Sequence, residues 1–250
     1  MWTEKYRPRN IKDLIGNGGC IDNLYAWLKD WDEVVIRGFK KKSNFKGAWG
    51  NAPNVNARAA MLGGPPGVGK TSTARIICAS LGYNVVEMNA SDTRNKAAIE
   101  NRVKDLSSNK SLDYFSVAGL KRQEENKNPL AAAIGGIATQ KSVIIMDEVD
   151  GLGAGDRGGI QALTAVIKET KTPIICICND FENRKLMTLK NHCYVIKFQR
   201  PDPRQIKPFV LKIASREGLD EVNDSCCDHL ITSAGNDIGK VINTMQMWSN

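Results

Sequence analysis

The residues whose types and spacing best suit chemistry are Gly64-Pro65-Pro66-Gly67-Val68-Gly69-Lys70-Thr71, which fit the pattern G-x-x-x-x-G-K-S/T without exception. The glycines let the backbone wrap tightly enough for its N–H groups to converge on phosphate oxygens. A helix starting near Gly69 aims its positive end at the same point. In such a cradle Lys70 reaches the β- and γ-phosphates, and Thr71 offers its hydroxyl to Mg²⁺, with Ser72 next in the turn. Residues 58–62 read as a strand entering the loop and 71–77 as a helix leaving it, so a chance glycine-rich turn is a poor alternative.

A second set lies at the end of an apolar run: Asp147, Glu148 and Asp150 follow Val143-Ile144-Ile145-Met146. Ligands collect at the carboxyl ends of strands in open α/β sheets. There Asp147 would hold Mg²⁺, and Glu148 would polarise the attacking water, whose proton must leave as it approaches phosphorus. The alternative is a charged turn after a strand. Asn179 follows another apolar run, Ile174–Cys178. Its amide either meets the γ-phosphate or positions the water, or it merely caps a turn; chemistry alone leaves both open.

These groups need a scaffold. Short apolar runs alternate with helical periods, which predicts βαβ units and a parallel sheet. Strands are expected at 59–63, 84–89, 142–147, 174–178 and 194–198. Helices are expected at 20–31, 70–81, 94–106 and 160–170. Segments 40–56 and 107–141 read as surface insertions, the second with a small-residue helix near 130–134. Pro201 and Pro203 rule out a continuous helix or central strand, and mark a boundary. Helices at 203–217, 224–233 and 238–248 follow it. The expected fold is therefore α/β, with a parallel five-stranded sheet in residues 1–200 and a small three-helix unit in 201–250.

The net charge of +8 suits a polyanionic partner, or is ordinary solubility charge. The N-terminus has no apolar h-region, and no apolar run is long enough to span a bilayer, so no membrane partner is expected. Seven scattered cysteines without a targeting signal point to a reducing compartment.

Taken together, Trp2-Thr3-Glu4-Lys5-Tyr6-Arg7-Pro8, the glycine-rich loop, Asn89-Ala90-Ser91-Asp92-Thr93-Arg94 and Asp147-Glu148-Val149-Asp150-Gly151 resemble the clamp-loader branch of the AAA+ P-loop NTPases. Asp156-Arg157-Gly158-Gly159-Ile160-Gln161, the run 172–180 and Phe198-Gln199-Arg200-Pro201 resemble the replication factor C large-subunit type in particular. The resemblance implies an AAA+ ATP-binding domain followed by a helical lid, with the collar domain of such subunits absent. It implies an ATP hydrolase, active chiefly in an assembled complex, with ATP and Mg²⁺ bound. Tyr6, Arg7, Pro8, Ile15 and Gly16 would lie near the adenine, and Asn179 would take the sensor position. It implies small loader subunits in a hetero-pentamer, a sliding clamp and primer–template DNA as partners, and a nuclear role in DNA replication and repair. The alternative is a checkpoint or other clamp-loader large subunit, or another AAA+ replication ATPase.

Arg94, Lys96 and Arg157 fall in the region that tracks DNA in such loaders, or are solvated surface charges. Leu112, Tyr114 and Phe115 resemble a clamp-binding plug, or tuck into the chain's own core. Two departures stand out. Where small subunits carry Ser-Arg-Cys, this chain has Asn191-His192-Cys193, so it should donate no arginine finger. Gly239 takes the place of a lid arginine that touches the γ-phosphate, with Lys240 adjacent as a substitute point charge.

Overall fold

The computed structural model describes residues 1–41, 54–90, 141–153, 157–219 and 222–249. The expected helices at 94–106 and 130–134, and the candidate contacts Arg94, Lys96, Leu112, Tyr114 and Phe115, lie outside the described residues.

Five parallel strands form one sheet in the order β2-β3-β4-β1-β5. They are β1 (Ala59–Gly63), β2 (Asn84–Asn89), β3 (Ser142–Asp147), β4 (Ile174–Cys178) and β5 (Cys193–Lys197). Every residue of β1 and β4 is buried, as continuous apolar runs in the middle of a doubly covered sheet should be. Edge strand β2 is mostly exposed or half-buried, and its sequence is correspondingly more polar.

Alternate residues serve opposite faces. Ala60, Leu62, Val143, Ile145, Ile175 and Ile177 pack against α2 (Gly18–Lys29) and α3 (Lys70–Ser80). Ala59, Met61, Ile144, Met146 and Cys176 pack against α4 (Arg157–Glu169) on the other side. The indole N–H groups of Trp27 in α2 and of Trp31 just beyond it donate to the carbonyls of Ala57 (3.0 Å) and Arg58 (2.9 Å), so this segment also fastens the entry to β1.

A short helix, α5 (Met187–Asn191), leads into β5. Beyond the sheet, α6 (Pro203–Glu217), α7 (Asp224–Ser233) and α8 (Ile238–Trp248) close around their own apolar cluster. The start of α6 is fixed by Pro203 in its first turn and by a reciprocal capping box between Asp202 and Gln205. The N-terminal turn α1 (Trp2–Lys5) does not join the sheet: Trp2, Tyr6 and Ile15 pack on the three-helix cluster.

Element boundaries differ from the sequence reading in four places, the smallest being α3, which ends at Ser80 rather than 81. Helix α2 begins at Gly18, because Asn17 takes a left-handed conformation (φ 53°) and starts it early; a π-turn, Asp32–Ile36, follows. Helix α4 begins at Arg157, three residues ahead of expectation, with Gly159 packed close over Leu152. Strand β5 runs one residue earlier than expected, in register with β1 from Ala59↔Cys193 to Gly63↔Lys197.

Ile145 is 1% exposed beneath the acid pair. Ile145→Ala should therefore cost about 2–5 kcal/mol in urea-induced unfolding; a loss under about 0.5 kcal/mol would mean that this layer is loosely packed.

Candidate nucleotide site

The glycine-rich loop leaves β1 and runs into α3. Gly64 (φ 153°) lies so close to the carbonyl of Phe198 that a Cβ would collide with it, while the Phe198 N–H donates to Gly63 O at 2.8 Å. Strand β5 thus holds the base of the loop. The N-cap of α3 is Gly69 (φ 87°), which provides no side-chain cap. The N–H groups of the first helical turn are left for an external acceptor.

Lys70 is 5% exposed. Its ammonium donates to Gly64 O (2.7 Å), Pro65 O (2.8 Å) and Asn179 Oδ1 (2.9 Å). Burial pushes its pKa down, against the opposing pull of Cys178, Asp147 and Asp150. An anion brought into the loop would further favour the charged amine. Asn179 is thus more than a turn residue: its side chain faces the loop lysine.

Thr71 Oγ1 donates to Asp147 Oδ2 at 2.8 Å. Hydroxyl and carboxylate oxygens are hard donors that suit Mg²⁺, which keeps several waters and takes one or two protein ligands. Asp147 Oδ1 accepts the N–H of Glu148 at 2.9 Å. Glu148 is held at φ 55°, a left-handed conformation of the kind that clusters at functional sites. Its carboxylate accepts from Asn89 Nδ2 at 3.2 Å. Asp150 accepts the N–H groups of Asn179 (3.1 Å) and Asp180 (3.0 Å), which fixes the tip of β4.

On the other side of the loop is a cleft of about 1020 Å³. Tyr6, Arg7, Pro8, Ile15 and Gly16 form one wall, Gly67, Val68, Gly69 and Ser72 the floor, and Phe209 and Gly239 part of the far wall. Pro66 is exposed at the loop's crest. Lys240 is exposed and does not line the cleft; its N–H is taken by Asp237. Arg157 opens α4 on the opposite face of the sheet from α3.

The wall is latched to α6. Lys5 Nζ donates to Glu217 Oε1 at 2.5 Å, and the Tyr6 hydroxyl donates to the same oxygen. Trp2 N–H donates to Gln246 Oε1 at 2.8 Å. Burial and the Glu217 hydrogen bond push the Tyr6 phenol up to about 12.

Sequence reasoning singled out neither Asn89 as a partner of Glu148, nor Asp150 as the acceptor that fixes the tip of β4, nor Glu217 and Asp237. Only Asn89 had a readable signal, a polar residue at a strand end; register places it opposite Asp147.

A phosphate loop after β1 and an acid pair after β3, in this parallel strand order, define a P-loop nucleoside triphosphatase of the AAA+ layout. The chain belongs to the AAA family: the family of ATPases associated with various cellular activities matches residues 60–196. It is 39% identical over 252 residues to Replication factor C subunit 1 of Homo sapiens, covering 99% of this chain and 21% of that protein. It is 39% identical over 246 residues to the Saccharomyces cerevisiae protein of that name (98% and 26%). With the Replication factor C large subunit of Methanococcus aeolicus it shares 30% over 246 residues (98% and 42%). The chain thus spans about a fifth to a quarter of the eukaryotic relatives. In solved structures, the fold resembles the Thermotoga maritima RuvB Holliday junction branch migration motor, with TM-score 0.58 at 13% identity, over 95% of this chain and 63% of that one. No helix among the described residues is long and apolar enough to cross a membrane.

The latch has a pH window. The Lys5 and Tyr6 hydrogen bonds hold the Glu217 carboxyl below its ordinary 4.5, so its stabilisation is present above 4.5 and lost as pH falls through the lowered value. The raised Tyr6 pKa works oppositely: its contribution is present below 10.0 and lost as pH rises through about 12. Amide-exchange protection at residues 5–7 should therefore fall on acidification below 4.5. Glu217→Gln should lower it at neutral pH; equal protection in both proteins would refute the latch.

Proposed function

We propose that this chain is the ATP-binding and hydrolysing motor of a sliding-clamp loader, of the replication factor C large-subunit type. The observation that carries this reading is the convergence of Lys70, Thr71, Asp147 and Asn179 from the ends of three neighbouring strands, in a chain 39% identical to the human subunit.

ATP would lie with its triphosphate in the 64–71 loop and its adenosine in the cleft between Tyr6-Arg7-Pro8 and α6. Thr71 and Asp147 would hold Mg²⁺, which supplies charge neutralisation for the phosphates when bound. Glu148, released from Asn89, would take a proton from the attacking water. Asn179 would orient the γ-phosphate or that water. Residues 201–250 would act as a lid on the 1–200 domain, with α1 travelling with the lid because it packs there.

Small loader subunits, a clamp and primer–template DNA are the partners this reading assigns, in a nucleus where the source is eukaryotic. His192 caps the short helix α5 at the position where small subunits carry their finger arginine. The chain would therefore receive a finger from a neighbour and hydrolyse ATP slowly alone. DNA binding through Arg94, Lys96 and Arg157 would be indifferent to sequence and weakened by salt. Leu112, Tyr114 and Phe115 would engage the clamp.

The test is reconstitution with small loader subunits, clamp and primed DNA. Glu148→Gln should retain ATP binding and lower stimulated hydrolysis about 100-fold or more. Equal stimulated rates would remove Glu148 from this role, and absence of clamp or DNA stimulation in the wild type would refute the loader reading.

A further inference from the structure

Asp237 is a buried carboxylate, 6% exposed, that the chemistry above does not use. It stands at the N-cap of α8, where Oδ1 accepts the N–H of Lys240 at 3.1 Å. Its turn is fastened to the segment leaving β5 at two points. Arg200 donates to the carbonyl of Gly235, and Asn236 Nδ2 donates to Pro201 O at 3.1 Å. Gly235 and Asn236 are both left-handed (φ 64° and 58°), which turns the chain sharply into α8. The carboxylate cannot swing away without giving up its cap.

Gly67 lies directly against it. A Cβ on Gly67 would collide with all three atoms of the Asp237 carboxylate. A negative charge is thus packed on the middle of the loop whose N–H groups converge on phosphate. No cation is placed beside it on α8: Gly239 has no side chain, and Lys240 is exposed outside the cleft. Like charges a few ångströms apart repel strongly where water is scarce. The carboxylate also occupies the positive end of α8, which would otherwise favour an anion.

We infer that Asp237 limits how tightly this chain holds nucleotide phosphates: its carboxylate opposes the charge of a bound di- or triphosphate and favours release. The inference rests on the nucleotide-binding reading above. It assigns Asp237 as a positioning residue whose effect reaches phosphates and spares the nucleoside. Glycine at 67 is required there both by its left-handed backbone (φ 75°) and by the close contact with Asp237.

The test uses calorimetric titration of the whole chain with Mg²⁺ and, separately, ADP, a non-hydrolysable ATP analogue and adenosine. Asp237→Asn and Asp237→Ser both keep a helix cap while removing the charge. Each should bind ADP and the ATP analogue on the order of fivefold to tenfold more tightly at low salt, with the gain shrinking at high salt. Adenosine affinity should not move, and Tm should fall by no more than about 4 °C, because the cap stays while the charge at the positive end of α8 is lost. The serine variant serves if the asparagine variant fails to fold. Unchanged or weaker phosphate binding in a folded variant, or a gain shared equally by adenosine, would overturn the inference alone. Failure of the wild type to bind either ADP or the analogue would instead overturn the nucleotide reading on which it rests.

Discussion

The site depends on placing one buried ammonium where backbone and side-chain oxygens hold it ready for an anion. Lys70 is nearly inaccessible, and burial alone disfavours its charge. Two loop carbonyls and the Asn179 amide offset that cost. Each of these acceptors is set by the sheet: the loop by β1 and its pairing to β5, Asn179 by the tip of β4. The parallel order that puts β4 between β1 and β3 therefore brings lysine, amide and acid pair to one edge. A change in strand register would scatter them.

Around this centre the chain divides its work between two surfaces of the loop. Toward β3, the Thr71–Asp147 pair and the left-handed Glu148 form an oxygen-rich corner suited to a metal and a water. Toward α6, the N-terminal segment and the three-helix unit form a cleft large enough for a nucleoside. The Glu217 latch joins α1 to α6, and Asp237 joins α8 to Gly67. The helical unit thus touches both the N-terminal wall of the cleft and the glycine-rich loop.

Much of this is legible in the sequence. Strands β1 and β4 are unbroken apolar runs, and such runs declare themselves whatever surrounds them. The eight-residue loop carries its own geometry in its glycines, and Asp147 ends its strand as expected. What sequence could not reveal depends on register and on side chains meeting across large separations. Asn89 reaches Glu148 only because β2 and β3 pair with Asn89 opposite Asp147. Lys5 and Glu217 are 212 residues apart, and nothing local marks them as partners. Lys240 is adjacent to Gly239 in sequence but not in space: on a helix the next residue turns about 100° away, and Lys240 is exposed outside the cleft.

The central claim is that the 64–71 loop grips a triphosphate whose metal faces Asp147. Crystals grown with Mn²⁺ and a non-hydrolysable ATP analogue would test it directly through the metal's anomalous signal. A peak between the Thr71 hydroxyl and the Asp147 carboxylate, with phosphates against the N–H groups of the loop, is the predicted result. Metal and phosphates bound elsewhere on the molecule would contradict the account.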